Sequence, residues 1–240
     1  MVNHKIVIGH LYPRQMNVYG DMGNVISLRY RLEQRGVEVE YVPINSLNML
    51  KTTKIDILIG GGGQDSNQGL VQNDLQQNKS DLLALLNEGL VCLVICGMYQ
   101  LFGNKFVLND GSEVPGIGFF DMETKAGPDR LIGNIVVDSG YGRLVGFENH
   151  SGRTYLGRGL SALGRVVSGS GNNSEDLTEG AVYKNVFGSY MHGPGLAKNP
   201  ALTDELIARS LKRKYGITDL EPLDSLLEEK AAKIAAKRPK

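Results

Sequence analysis

Three short stretches of this 240-residue chain carry residue types that can do covalent chemistry. The first is LVCLVICGMYQLFG, residues 90–103. An unbroken apolar run, of the kind that suits a strand buried on both faces, ends at Cys96, and Gly97 follows at once before helix-compatible residues. Such a strand–turn–helix lifts the side chain at the turn above the sheet edge and aims the positive end of the next helix at it. Both effects favour a thiolate nucleophile. The second is GGGGQD, residues 60–65, directly after the apolar IDILI. Consecutive glycines behind a parallel strand can point backbone N–H groups at an anion. No Gly-Lys-Ser/Thr follows, so a nucleotide phosphate is not the favoured ligand. The anion can be transient: the oxyanion of a tetrahedral intermediate at Cys96. The third is GSYMHGP, residues 188–194, where a strand ends at His192 before a Gly-Pro turn. A histidine there is placed to act as general base for a cysteine.

Each stretch also has a plainer reading. Cys96 could be one more buried small hydrophobe. The nucleophile elbow it resembles, with Cys for Ser, lacks its outer glycines, because Val94 and Met98 occupy those places. Cys92, four residues back inside the strand, reads as core. The glycine run could be a bare turn, although four in a row exceed what a turn needs. Of the four histidines, His4 and His10 belong to the first strand region, and His150, in FENHSGRT, competes with His192.

The elements that must position these residues follow from pattern. Ile6 to Ile8 form a short apolar run; Met22, Val25, Ile26, Leu28 and Leu32 recur at helical spacing before Gly36. VEVEYVPI alternates as a strand, IDILI is a compact buried one, and Leu82, Leu83, Leu85 and Leu86 mark a helix that stops near Gly89. This βαβ series implies a parallel sheet with right-handed crossovers. Between about 105 and 190, RLIGNIVVD, YGRLVGF and EGAVYKNVFGSY sit between glycine and asparagine turns, and NDG at 109–111 signals a hairpin. The expected fold is therefore α/β: a mostly parallel twisted sheet flanked by helices, with an appended antiparallel strand region. From Pro200 a helix carries Leu202, Leu206, Ile207 and Leu211 to Gly216. Residues 1–240 read as one domain, with 218–240 a helical tail that either packs in place or docks a partner.

Composition narrows the function. Lys+Arg and Asp+Glu are 26 each, so there is no basic excess of the sort that general nucleic-acid or membrane-surface binding requires. Glycine, at 31 copies, is about twice its usual share. Two cysteines spaced C-x-x-x-C suit neither a disulfide framework nor a zinc site, and no metal is expected. No signal peptide and no apolar run near the roughly 18 residues of a membrane span is visible. The expected location is the reducing cytoplasm.

Taken together, YGDMGN (19–24), IGGGGQD (59–65), ICGMYQLFG (95–103), GFENHSGRT (146–154) and SYMHGP (189–194) resemble the triad-type glutamine amidotransferases, and within them the cobyric-acid-synthase-like branch. ENH-x-GRTY and GNN-x-ED further resemble free-standing glutaminase subunits that serve a Mur-ligase-like synthetase acting on the lipid II stem peptide. The resemblance implies that Cys96 attacks the carboxamide of L-glutamine and that His192 moves the proton. It implies an oxyanion hole from the N–H groups of Gly97 and Gly62, with Gln100 and Arg130 holding the substrate. Arg130 in PDRLIG could equally be a solvated strand-end charge. It further implies that this chain needs no cofactor, because ATP and magnesium belong to a separate synthetase in a heterodimer. Many triad amidotransferases carry a carboxylate two residues after the histidine. Here that position is Pro194, so the site is expected to run as a Cys–His dyad or to draw its acid from elsewhere, the partner subunit being the expected source. Asp21 lies near the active edge by topology, without an assigned role.

Overall fold

The computed structural model of the chain describes residues 4–63 and 65–238, with residues 65–70 described by backbone alone. In chain order the elements are β1 (Lys5–Leu11), α1 (Met22–Glu33), β2 (Glu38–Ile44), β3 (Ile57–Gly60), α2 (Asp65–Gln77), α3 (Lys79–Asn87), β4 (Val91–Ile95), α4 (Gly97–Phe102), β5 (Lys105–Val107), β6 (Glu113–Pro115), β7 (Met122–Ser139), β8 (Gly142–Leu156), β9 (Gly164–Ser168), β10 (Thr178–Glu179), β11 (Ala181–Tyr183), β12 (Val186–Ser189), α5 (Pro200–Tyr215) and α6 (Leu226–Ala235).

A first sheet runs in the order β11-β12-β4-β3-β1-β2. Every neighbouring pair is parallel except β11–β12. Its inner strands β3, β4 and β12 are buried on both faces because helices cover both. Ile57, Ile59, Val91 and Leu93 share a core with Val25, Leu28 and Leu32 of α1 and with Leu202, Leu206 and Ile207 of α5. The intervening Leu58, Cys92 and Val94 pack on the other side with Leu75, Leu82 and Leu86 of α2 and α3 and with Met98 and Phe102 of α4. A second sheet, β10-β9-β7-β5-β6 with β8 on β7, is built on the long β7–β8 hairpin. The NDG turn closes the antiparallel β5–β6 pair, with Gly111 at φ +82°.

One segment departs from the pattern. VFGS was expected among the appended antiparallel strands, yet β12 returns to the first sheet, parallel to β4. Its four residues are all buried, which is the signature of a central strand rather than a half-exposed one. Its shortness hid the difference between the two periods. A second parallel pair, β5–β7, also lies inside the second sheet.

At the other end, α6 buries no residue; Leu226 and Leu227 are 71% and 80% exposed. It is tied down through Glu228, 3.1 Å from the guanidinium of Arg31 on α1. Arg31 is itself buried and grips Asp204 of α5 through two bonds of 2.7 and 2.6 Å, so one cation joins three helices. Replacing Arg31 by Ala takes this buried cation from both Asp204 and Glu228, leaving Asp204 with Arg35 at 3.0 Å. The expected loss of unfolding free energy is about 3 kcal/mol, read by urea denaturation; a loss under about 0.5 kcal/mol would show the network to be idle.

Candidate active site

The parallel register brings the three sequence stretches to one level. Gly60 pairs with Val94, Val94 with Gly188, and Ile95 with Ser189. The glycine run, Cys96 and the segment leading to His192 therefore leave the carboxyl ends of β3, β4 and β12 side by side, where open α/β sheets place their sites.

Cys96 occupies the sharp turn between β4 and α4 with φ +52°. A left-handed conformation on a residue with a side chain costs on the order of 1–3 kcal/mol and persists where the surroundings over-determine it. Here the Cys96 N–H donates to Ser189 O at 2.8 Å and its carbonyl accepts from Gln100 N–H at 3.0 Å. The turn leaves the Cys96 side chain partly exposed, whereas Cys92 is sealed in the core and burial pushes its thiol well up. Gly97 opens α4, so its N–H has no carbonyl one turn back within the helix.

His192 is fully buried. Its backbone forms a two-way bridge with Phe147 of β8, with bonds of 3.2 and 2.7 Å. The Tyr19 ring lies against the imidazole, centroids 4.6 Å apart. Nδ1 meets Asp21 Oδ1 at 3.4 Å. On the other side the imidazole faces Cys96: a Cβ on Gly62 would stand 2.7 Å from His192 Cε1, 3.5 Å from Nε2 and 3.3 Å from Cys96 Cβ. Nε2 makes no hydrogen bond of ordinary geometry among the described residues. Burial alone would lower the basicity of this imidazole, but Asp21 and then Cys96 outweigh it and raise the pKa to about 10.

The acid on His192 thus comes from this chain, and the expectation of a carboxylate from a partner subunit gives way to Asp21. Pro194, which replaces the usual carboxylate, shows how. A Cβ on Gly23 would overlap the Pro194 ring, 2.3 Å from Cγ, so the proline seats against the first turn of α1, two residues from Asp21. Asn24 Oδ1 accepts from Leu196 N–H at 3.0 Å and fixes the same contact.

The glycine run is shaped by close approach. A Cβ at Gly61 would meet Met16 O at 2.4 Å and Asp21 Oδ2 at 2.7 Å. The Gly62 N–H donates to Asp21 Oδ2 at 2.7 Å, so the amide expected to serve an oxyanion is engaged by the carboxylate and can serve one only after leaving it. Gln64 of that motif lies outside the described residues.

A cavity of about 270 Å³ opens over these groups, lined by Gly62, Cys96, Gln100, Arg130, Asn149 and His150 among others. Arg130 sits where the β7–β8 register shifts and gives Asn149 two bonds, Nε to Oδ1 at 2.8 Å and Nη2 to the carbonyl at 2.9 Å. Among the described residues, these two bonds use two of its five N–H groups. Gln100 donates to Tyr190 Oη at 3.1 Å. His150, the competing histidine, stacks flat on Tyr190 at 3.6 Å and 9°, with Nδ1 on Gly152 O at 2.8 Å. Burial, with no carboxylate in hydrogen-bond contact to offset it, lowers its pKa to about 3. Among the described residues no group of three or more His, Cys, Asp or Glu is arranged to hold a metal ion. Asp21 was visible in YGDMGN, but nothing in sequence joins it to a residue 171 positions away; Tyr19, Asn149 and Tyr190 were equally beyond spacing arguments.

Comparison with known proteins agrees in one direction. The family model for a CobB/CobQ-like glutamine amidotransferase domain matches residues 7–200. The chain is 39% identical to the lipid II isoglutaminyl synthase (glutamine-hydrolyzing) subunit GatD of Staphylococcus aureus strain N315, over 98% of this chain and 96% of that one. It is also 39% identical to the protein of the same name from Streptococcus pneumoniae R6, over 89% and 83%. A probable cobyric acid synthase of Methanosphaera stadtmanae is 32% identical over 50% of this chain but only 28% of its own length. A crystal structure of a glutamine amidotransferase superposes with a TM-score of 0.59 at 18% identity, over 85% of this chain and 98% of that one, which is a likeness of fold.

The protonated His192 contributes stability that is complete below the unfolded value near 6.5 and is lost as pH rises through about 10. Asp21→Asn removes the partner that raises this pKa. The stability gap between wild type and Asp21→Asn, measured by urea denaturation, is expected to be largest near neutral pH and to narrow toward pH 10; a gap that widens with pH would contradict the assignment.

Proposed function

The chain belongs to the CobB/CobQ-like glutamine amidotransferase family, and from that membership and the geometry of its site we propose that it hydrolyses L-glutamine to glutamate and ammonia. Cys96 Sγ, having given its proton to His192, attacks the side-chain carboxamide carbon. The resulting oxyanion lies at the N-terminus of α4, where the Gly97 N–H donates to it. His192 returns the proton to the leaving nitrogen, the C–N bond breaks, and a γ-glutamyl thioester is left on Cys96. Water, deprotonated by His192, then attacks the thioester and frees glutamate and the thiol. Asp21 keeps Nδ1 protonated so that Nε2 faces the sulfur, the orienting role of the acid in triad enzymes. The free edge of the Arg130 guanidinium takes the substrate α-carboxylate, for which a planar fork is well suited, and Gln100 borders the carboxamide.

The observation that carries this reading is the sequence of contacts that starts at Cys96, which lines the cavity, and runs behind it to the buried imidazole of His192 and the carboxylate of Asp21. The near full-length likeness to relatives named as subunits of lipid II isoglutaminyl synthase supports a narrower statement. In it the ammonia passes to a Mur-ligase-like synthetase subunit, which amidates the D-glutamate of the lipid II stem peptide in the cytoplasm. That subunit carries the ATP and magnesium, and the pair forms a heterodimer. A corrinoid acceptor is less well supported, because the cobyric acid synthase match spans only 28% of its relative. No helix among the described residues is long and apolar enough to cross a membrane.

The test is glutamine-dependent ammonia release by the chain together with its synthetase. Cys96→Ala is expected to abolish it, and His192→Ala to lower kcat by about 1000-fold or more. Activity that survives His192→Ala but disappears in His150→Ala would transfer the base to the other histidine. Wild-type protein that releases no ammonia in the complex would end the glutaminase reading.

A further inference from the structure

Glu179, the last residue of β10, is fully buried and belongs to none of the sequence stretches that point to catalysis. Its Oε1 accepts from Ser189 Oγ at 2.7 Å and from Tyr190 N–H at 2.8 Å. Ser189 Oγ in turn accepts from Met191 N–H at 2.9 Å. The three residues that precede His192 therefore hang on a single carboxyl oxygen. Ser189 is also the residue whose carbonyl accepts from the Cys96 N–H, so the same junction anchors the backbone of the nucleophile and the approach to the base. Beyond it, Tyr190 Oη contacts Gln100 and Thr154, at 3.1 and 2.6 Å.

The carboxyl group is held rigidly for this task. Gly180, at φ +61°, follows it, with its N–H donated to Asn172 Oδ1 at 3.0 Å and its carbonyl taking Asn172 Nδ2 at 3.0 Å. Glu179 Oε2 has no hydrogen-bond partner among the described residues, and no cation pairs with the group. Burying a carboxyl with only one oxygen satisfied is costly. A core built for stability alone would put an apolar side chain there. What the carboxyl supplies, and an apolar side chain cannot, is an acceptor for two donors on adjoining residues at the end of β12.

We propose that Glu179 is a positioning residue of the active site: by holding Ser189 and Tyr190 it sets the gap between the His192 imidazole and the Cys96 thiol. This rests on the glutaminase reading above. The role needs an acceptor at Oε1 and no negative charge, so the amide isostere can fill it. The side chain does not touch the cavity that receives substrate, so its loss changes turnover rather than substrate capture.

The experiment compares wild type, Glu179→Gln, Glu179→Ala and Ser189→Ala, each in complex with the synthetase, for kcat and KM of glutamine hydrolysis. The rate at which iodoacetamide alkylates Cys96 near pH 6 is followed for each by peptide mass analysis. Alkylation reports the thiolate held by the imidazolium and requires neither glutamine nor an oxyanion hole. Glu179→Gln is expected to stay within about threefold of wild type in kcat and in alkylation. Glu179→Ala is expected to lose at least tenfold in both, with KM within about twofold, and Ser189→Ala to fall between them. If Glu179→Ala does not fold, the Glu179→Gln and Ser189→Ala pair still decides. Ser189→Ala equal to wild type, or Glu179→Gln as damaged as a truncation, overturns the proposal. A wild-type complex that is inactive on glutamine while its alkylation still follows the expected order overturns the glutaminase reading and leaves the positioning of His192 standing.

Discussion

The geometry of the proposed active site depends on one buried carboxylate with two partners. Asp21 gives Oδ1 to His192 Nδ1 and Oδ2 to the Gly62 N–H. The shorter of the two bonds goes to the glycine loop, so the acid that orients the base is also the peg on which the loop beside the nucleophile hangs. A fully buried carboxylate is tolerated only when it is hydrogen-bonded and has a cation to face. The protonated imidazole is that cation, and it in turn is held by the same carboxylate. Without Asp21 burial would pull the imidazole back toward its neutral form, and without His192 the carboxylate would lose the cation it faces, so the two act as a pair rather than as two additive contacts.

The sheet exists, in functional terms, to let this pair form beside a thiol. Three neighbouring parallel strands deliver the glycine loop, Cys96 and the 189–192 segment at matching heights. Parallel pairing has the needed property that all carboxyl ends lie on one edge. The insertion of β12 next to β4, after a long excursion through the second sheet, is what brings a residue late in the chain to a nucleophile near its middle. The second sheet then contributes the opposite wall: Phe147 clamps the His192 backbone, and Arg130 and Asn149 stand across the cavity. Pro194 completes the arrangement. Where a carboxylate after the histidine would orient it along its own loop, here a proline seated on Gly23 draws the loop onto α1 and borrows the acid from there.

How much of this is legible in the sequence follows from the range of each interaction. Cys96 is marked locally by a both-face-buried strand that stops at a Cys-Gly pair, but that mark alone does not separate a nucleophile from one more buried small side chain, and only the accompanying motifs do so. The first four parallel strands and helices α1, α3 and α5 announce themselves by period and by glycine stops. VFGS does not: four residues are too few to separate a central strand from an edge one, and its place in the first sheet is decided by burial that only the folded chain reveals. The partnership of Asp21 with His192 is hidden for a deeper reason. It spans 171 positions and is created by a void, the missing Cβ of Gly23, into which Pro194 fits. Sequence shows that a glycine is present but not which ring will fill its space. The four glycines at 60–63 illustrate the same point. They were read as an anion cradle, whereas Gly61 and Gly62 are there because Met16 O, Asp21 and His192 come too near for any side chain.

Two buried histidines lie at the same site with their pKa values pushed in opposite directions, and the contrast supports His192 as the proposed base. His150 and His192 are comparably removed from solvent, so desolvation pushes both toward the neutral form. For His150 burial prevails: Nδ1 rests on the Gly152 carbonyl, which raises the pKa too little, the nearest carboxylate oxygen, Glu148 Oε2, stands 4.0 Å from Nε2, and the pKa falls to about 3. An imidazole that weakly basic cannot take a proton from a thiol. For His192 the Asp21 carboxylate and the neighbouring sulfur more than reverse the same penalty. A high pKa is no defect in a partner for cysteine. In the proposed mechanism the imidazolium must still hold its proton when the carboxamide nitrogen departs. The burial that lowers the basicity of one histidine is outweighed in the other once a carboxylate is added, so that one imidazole keeps its proton where its neighbour gives it up.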